Sequence, residues 1–216
     1  MDSVATIVLW AVPVVFAITL HEAAHGYVAK LFGDQTAWML GRVTANPIKH
    51  IDPVGTILVP GALLLLAKLG GPGFIFGWAK PVPVNFGNLR NPKRDMFWVA
   101  GAGPAANFAM AIVWGLLLRL ASPSGPFASD GLMEMAGAGI QINLMLMALN
   151  LLPILPLDGG RIAVSLLPHS MAMGYAKMEP YGFIIVIVLL ATGFLIDLMR
   201  PILRVGELAL SAIIGL

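Results

Sequence analysis

His21, Glu22 and His25 stand close enough in the chain to share one task. Helical residues four apart lie about one turn from each other, so the imidazoles of His21 and His25 face the same side. Glu22 follows His21 by about 100° and falls within the same arc. Two imidazoles at this spacing hold Zn²⁺, and a neighbouring glutamate is placed to take a proton from a water at the metal. The implied chemistry is hydrolysis, with His21 and His25 as ligands and Glu22 as general base. These residues lie in a mostly apolar stretch, 4–32, long enough to span a bilayer. Ionisable groups at that depth cost a few kcal/mol each. Hydrogen bonding inside a buried helix is a poor account of three of them.

A catalytic zinc needs a third protein ligand and an open position. With no cysteine in the chain, that ligand must be His, Asp or Glu. Asp158 is the strongest candidate, in the run Asn150-Leu151-Leu152-Pro153-Ile154-Leu155-Pro156-Leu157-Asp158-Gly159-Gly160-Arg161. Pro153 and Pro156 break a helix and free carbonyls, and Gly159-Gly160 permits a sharp turn beside a metal. The alternative for Asp158 is a helix-end carboxylate paired with Arg161; the presence of His21 and His25 favours the ligand. His50 is the next candidate.

The elements that must position these groups are membrane helices. The 216 residues are 58% hydrophobic and 11% charged, against about a quarter charged in a soluble domain. Mean hydropathy is +0.87. This is the composition of a single integral membrane domain, residues 1–216, and the net charge of +2 is too small for nucleic-acid binding. Met1-Asp2-Ser3 lacks the basic start of a signal peptide, so the first apolar segment is expected to be retained. Apolar stretches run over 4–32, 54–69, 96–120, 132–157 and 181–199, with a weaker amphipathic one at 202–216. The expected fold is all-α and polytopic, with about five to six transmembrane or re-entrant helices. Its catalytic core covers 4–161 and its C-terminal helices 181–216. Short β-hairpins are expected near the cytoplasmic face in the Gly- and Pro-broken connections 33–53 and 70–95.

The 54–69 stretch is short, contains Pro60-Gly61, and is flanked by basic loops carrying Lys30, Arg42 and Lys49 before it and Lys80, Arg90, Lys93 and Arg94 after it. Both loops read as cytoplasmic, so 54–69 is expected to dip in and return. Only 96–120 then crosses between the two ligand-bearing segments. These must run parallel for Asp158 to meet His21 and His25, with the site toward the cytoplasmic side of the cell membrane.

The chain resembles the site-2 protease family of intramembrane zinc metalloproteases. The match rests on His21-Glu22-x-x-His25, Gly103-Pro104-x-x-Asn107, and Asn150…Pro153…Leu157-Asp158-Gly159. Asn46-Pro47…His50-x-Asp52-Pro53 and Gly77-Trp78-Ala79-Lys80-Pro81-Val82 resemble compact bacterial members. The resemblance implies one Zn²⁺ per chain on His21, His25 and Asp158, with Glu22 as base. It implies Asn107 and Asn150 near the substrate path, and a transmembrane protein or peptide as substrate. The resemblance is to minimal members, in which no PDZ or CBS domain is expected. The oligomeric state is left open.

Other features take plainer readings. Gly101-Ala102-Gly103-Pro104-Ala105-Ala106 matches a dinucleotide-binding pattern but lacks a surrounding βαβ unit. Its small residues are expected to let helices approach closely. His50 and Asp52 read as turn residues, and His169 as a loop residue. Two competing functions are a metal-ion transporter and a non-catalytic membrane scaffold. Polar residues clustered toward one face argue against the first, and an intact Glu22 against the second.

Overall fold

A computed structural model describes residues 3–69 and 77–215. Helix α1, Ser3–Leu31, carries the His-Glu-His motif and is followed by a short α2, Thr36–Met39. A 3-10 turn, Pro47–His50, and a π-turn, Pro53–Leu58, lead into α3, Val59–Lys68. The Asp52 carboxylate caps the π-turn by accepting the N–H groups of Val54 and Gly55 at 3.0 and 2.7 Å. That bears out its reading as a turn residue. Ten residues of α3 rise about 15 Å, half a hydrocarbon core.

The bundle continues with α4, Pro92–Ala121, and α5, Asp130–Asn150. These two are long and apolar enough to cross a membrane. Then come α6, Asp158–Leu166, α7, His169–Ala176, α8, Glu179–Ala191, and α9, Phe194–Ile214. Helices α7 and α8 meet at 62° and make a third candidate span if taken together.

The order of contacts sets the directions of the three central helices. Val99 and Asn107 of α4 meet His25 and His21 of α1 in reverse order, so α4 runs against α1. Asn107 and Trp114 of α4 meet Asn143 and Gly139 of α5, again in reverse. Helices α1 and α5 are therefore parallel, as the joining of Asp158 to the two histidines requires. Ala111, Leu144, Met147, Leu210 and Ile214 form an apolar core between α4, α5 and α9. A second core, with Ala29, Leu89, Met96, Val99 and Ala100, closes α4 onto the end of α1.

The expected β-hairpins are not formed among the described residues, which contain no strand. Residues 41–46 make turns and bends, and 77–85 run as an extended strap without a pairing strand. Pro81 and Pro83 remove two ladder donors from that strap. Its remaining polar groups bond elsewhere: Asn85 N–H goes to the Asp34 carboxylate at 2.7 Å, and Lys80 N–H to the His50 carbonyl at 2.9 Å. Phe74, Ile75 and Phe76, expected at the hairpin edge, lie outside the described residues.

Candidate active site

On α1, one helical turn brings the His21 and His25 Nε2 atoms to 3.1 Å from each other. Asp158 Oδ2 lies 3.3 Å from the first and 3.4 Å from the second. Asp158 arrives from the first turn of α6, because α5 ends at Asn150 and the segment 151–157 turns back between them. The Pro153 and Pro156 break expected from sequence is what separates the two helices. Asp158 does not pair with Arg161, whose guanidinium instead sits 3.5 Å from Glu179 and 5.7 Å from the Phe86 ring.

Second partners fix which nitrogen of each histidine carries the proton. The Val99 carbonyl can only accept, so His25 Nδ1, 2.7 Å away, donates. Asn107 donates through Nδ2 to the Ala17 carbonyl at 3.3 Å and to Asn143 Oδ1 at 3.0 Å. Its Oδ1 therefore faces His21 Nδ1 at 2.6 Å, and His21 donates too. Asn143 is held in turn by donating to the Gly139 carbonyl at 2.8 Å. As neutral imidazoles, both rings then present lone pairs at Nε2, and Asp158 Oδ2 is buried with no hydrogen-bond donor among the described residues. Three inward-facing acceptors within 4.8 Å fit a small divalent cation. Imidazole nitrogens plus one carboxylate are a set Zn²⁺ takes, with room left for a water.

The glycines of both motifs make room for this cluster. A Cβ on Gly103 would lie 2.6 Å from His21 Nε2 and would also strike the His25 nitrogen. The small residues of α4 therefore do more than let helices approach. Gly159 and Gly160 are not in the left-handed region, so a sharp turn is not their reason. A Cβ on Gly160 would collide with the Leu155 N–H at 2.5 Å, and one on Gly159 with the Leu151 and Leu152 carbonyls. Close approach is what they permit.

Glu22 lies on the same helix and points toward the strap, where its Oε2 accepts the Val82 N–H at 2.6 Å. A cavity of about 1060 Å³ opens over the cluster, lined by His21, Glu22, His25 and Asp158 and walled by apolar residues such as Val14, Ile18, Phe183 and Val186. That volume lies at the upper end of the range for ligand pockets, about 1,000 Å³. Asn150 lines the cavity, with its Nδ2 bonded to the Leu146 carbonyl at 3.0 Å. Asn107 is fully buried, does not line the cavity, and has both amide atoms engaged. His50 lines the cavity but stands outside the three-residue cluster, with Nε2 donating to the Thr44 carbonyl at 3.1 Å.

Sequence reasoning gave Asn143 and Asp34 no part in the site and read Arg42 only as a basic loop residue. Arg42 is buried and holds the Lys80 carbonyl at 2.7 Å. Asp34 ties the strap to the end of α1, its Oδ1 accepting the Thr36 hydroxyl at 2.5 Å and the Asn88 amide at 3.1 Å. Their burial, which only the tertiary structure shows, is what marks them, so the sequence offered no signal.

Residues 117–193 match the model of peptidase family M50. The chain is 40% identical over 200 residues to "Putative zinc metalloprotease YwhC" of Bacillus subtilis (strain 168), covering 91% of this chain and 86% of that protein. It is 33% identical over 178 residues to "Putative zinc metalloprotease Rip2" of Mycolicibacterium smegmatis (strain ATCC 700084 / mc(2)155), covering 82% of this chain and 64% of that one. No solved structure matches the chain.

Proposed function

The chain belongs to peptidase family M50, the site-2 proteases, and is an intramembrane zinc metalloprotease; from that premise we propose how its site cuts. His21, His25 and Asp158 would hold the zinc, with Glu22 as the general base. The observation that carries this assignment is the convergence of three acceptors whose own protons are committed elsewhere. Zinc bound there would supply Lewis-acid chemistry, lowering the pKa of a bound water toward about 7 and polarising a carbonyl. Glu22 takes a proton from the attacking water and delivers it to the leaving amine. Asn107 and Asn143 hold His21 in the tautomer that keeps Nε2 free. Asn150 offers its amide oxygen to substrate at the cavity wall.

The substrate is a transmembrane protein or peptide, entering from the lipid bilayer and unwound next to the site. The apolar walls suit such a chain, and the strap offers it backbone: Ala79 lines the cavity, and its N–H and C=O have no partner among the described residues. An unwound substrate pairs there as an added strand. Ala79→Pro removes that N–H and is expected to raise KM for a transmembrane peptide; an unchanged KM counts against pairing. The enzyme resides in the cell membrane with this site toward the cytoplasm, and α3 with the π-turn before it enters the bilayer and returns. The whole of 1–216 acts as one domain.

Glu22→Gln tests the core of the reading. The variant is expected to keep one zinc per chain and lose peptide cleavage, by a factor of about 10² or more. Asp158→Ala is expected to lose zinc as well. A Glu22→Gln enzyme that still cleaves, or an Asp158→Ala enzyme with full zinc, would overturn the assignment.

A further inference from the structure

Arg42 is 8% exposed and makes no ion pair among the described residues. A buried guanidinium without a carboxylate is costly unless its charge is compensated. Its Nη2 donates to the Lys80 carbonyl at 2.7 Å and, on a longer arm, to the Pro81 carbonyl at 3.3 Å. The Pro81 carbonyl and the Val82 N–H are two ends of one planar peptide group. The far end of that plane donates to Glu22 Oε2 at 2.6 Å. A cation, a peptide dipole and a carboxylate thus stand in line, each oriented to favour the next.

Resting on the assignment of Glu22 as base, we propose that Arg42 is a positioning residue that acts on Glu22 through the Pro81–Val82 peptide. Arg42 sets the plane of the peptide, and the Val82 N–H then pins Oε2. Glu22 Oε1 has no partner among the described residues and is the oxygen left to exchange protons with water and amine. Gly26 lets the strap come this close: a Cβ there would lie 2.7 Å from Val43 Cγ2 and 3.0 Å from Val82 Cγ1. The two carbonyls take up part of the buried charge, while Arg42 Nε stays without a partner among the described residues.

The experiment has a substrate-free arm and a kinetic arm, both on the full chain. In micelles, enzyme labelled with ¹⁵N-valine is expected to show the Val82 amide proton far downfield. It should move upfield in Glu22→Gln and also in Arg42→Gln, and return in part in Arg42→Lys. A Val82 resonance that responds to Glu22→Gln and ignores Arg42→Gln overturns the proposal. The kinetic arm follows a synthetic transmembrane peptide with a fluorophore and quencher, reconstituted with enzyme in phosphatidylcholine vesicles. Arg42→Gln is expected to lower kcat about tenfold or more, the scale of a lost charge-assisted hydrogen bond. Zinc content should hold, and kcat should fall by more than KM rises. Replacing Val82 by its α-hydroxy acid, which turns the amide into an ester without an N–H, should cost about as much, and the two changes together no more. Losses that multiply overturn the proposal, because Arg42 then acts by another route. Cleavage surviving in Glu22→Gln sinks the base assignment instead, while the amide resonance still reports whether Arg42 orients the peptide.

Discussion

His21 Nδ1 and Asn107 Oδ1 lie 2.6 Å apart, and this one hydrogen bond joins the histidine pair on α1 to the middle of α4. Its direction follows from the Ala17 carbonyl on the other side of the amide, which obliges Asn107 to donate there. Asn143 adds a further bond from α5. Three helices therefore agree on the tautomer of His21.

Loss of this chain of amides should weaken zinc binding without touching a ligand. Asn107→Ala is expected to lower zinc affinity about 10- to 100-fold, and Asn143→Ala by less. Competition with a chelator of known affinity measures it. Unchanged affinity in Asn107→Ala would show that His21 keeps its orientation unaided.

Gly103→Ala should be as damaging as loss of a ligand. Its Cβ would come 2.6 Å from His21 Nε2, inside the space the metal needs. Helix propensity favours alanine over glycine by about 1 kcal/mol, so the helix itself gains. Full helical content by circular dichroism with zinc lost is the expected pair of results. A variant that retains zinc would mean the imidazoles can swing aside.

Asp34 should make stability fall with acid. Burial opposes its ionisation, yet bonds from the Thr36 hydroxyl and N–H, the Asn85 N–H and the Asn88 amide outweigh this and hold its carboxyl below the ordinary value of 3.8. A carboxylate depressed in the folded state contributes stability above its unfolded pKa, and that contribution fades as pH falls through the folded value. Thermal melting in micelles from pH 7 to pH about 3 should therefore drop more steeply for the parent than for Asp34→Asn. At neutral pH the variant should be less stable by about 1–3 kcal/mol, having lost bonds to a charged group. Parallel curves would show that Asp34 ionises as freely as in the unfolded chain.

Topology can be read with single cysteines, because the chain has none of its own. Ala45, Gly87 and Ser124 are all exposed, and a Cβ at Gly87 meets only Asn85 Oδ1 at 3.4 Å. Cysteines at Ala45 and Gly87 are expected to resist a membrane-impermeant thiol reagent outside intact cells, and one at Ser124 to react. Labelling at Gly87→Cys without labelling at Ala45→Cys would make the π-turn and α3 a crossing segment.

The family, the zinc chemistry and the helical architecture were legible in the chain itself, because they rest on short-range geometry. His21 and His25 share a face by helical pitch alone, Pro153 and Pro156 break a helix wherever it goes, and an apolar stretch such as 96–120 has no place but a bilayer. The expected number of five to six spanning or re-entrant helices is not supported, and two further expectations went differently for one reason: they concerned neighbours that the local sequence does not name. The strap at 77–85 has the residues of an edge strand, but its polar groups found Glu22, His50 and Asp34 rather than another strand. Gly159 and Gly160 looked like turn residues and are instead points where one backbone lies against another. Tertiary structure alone brings Asn143 to Asn107, and Arg42, Val82 and Glu22 to the two ends of one peptide. Such pairs are decided by how whole helices and loops pack, and no periodicity along the chain encodes which buried polar group will meet which.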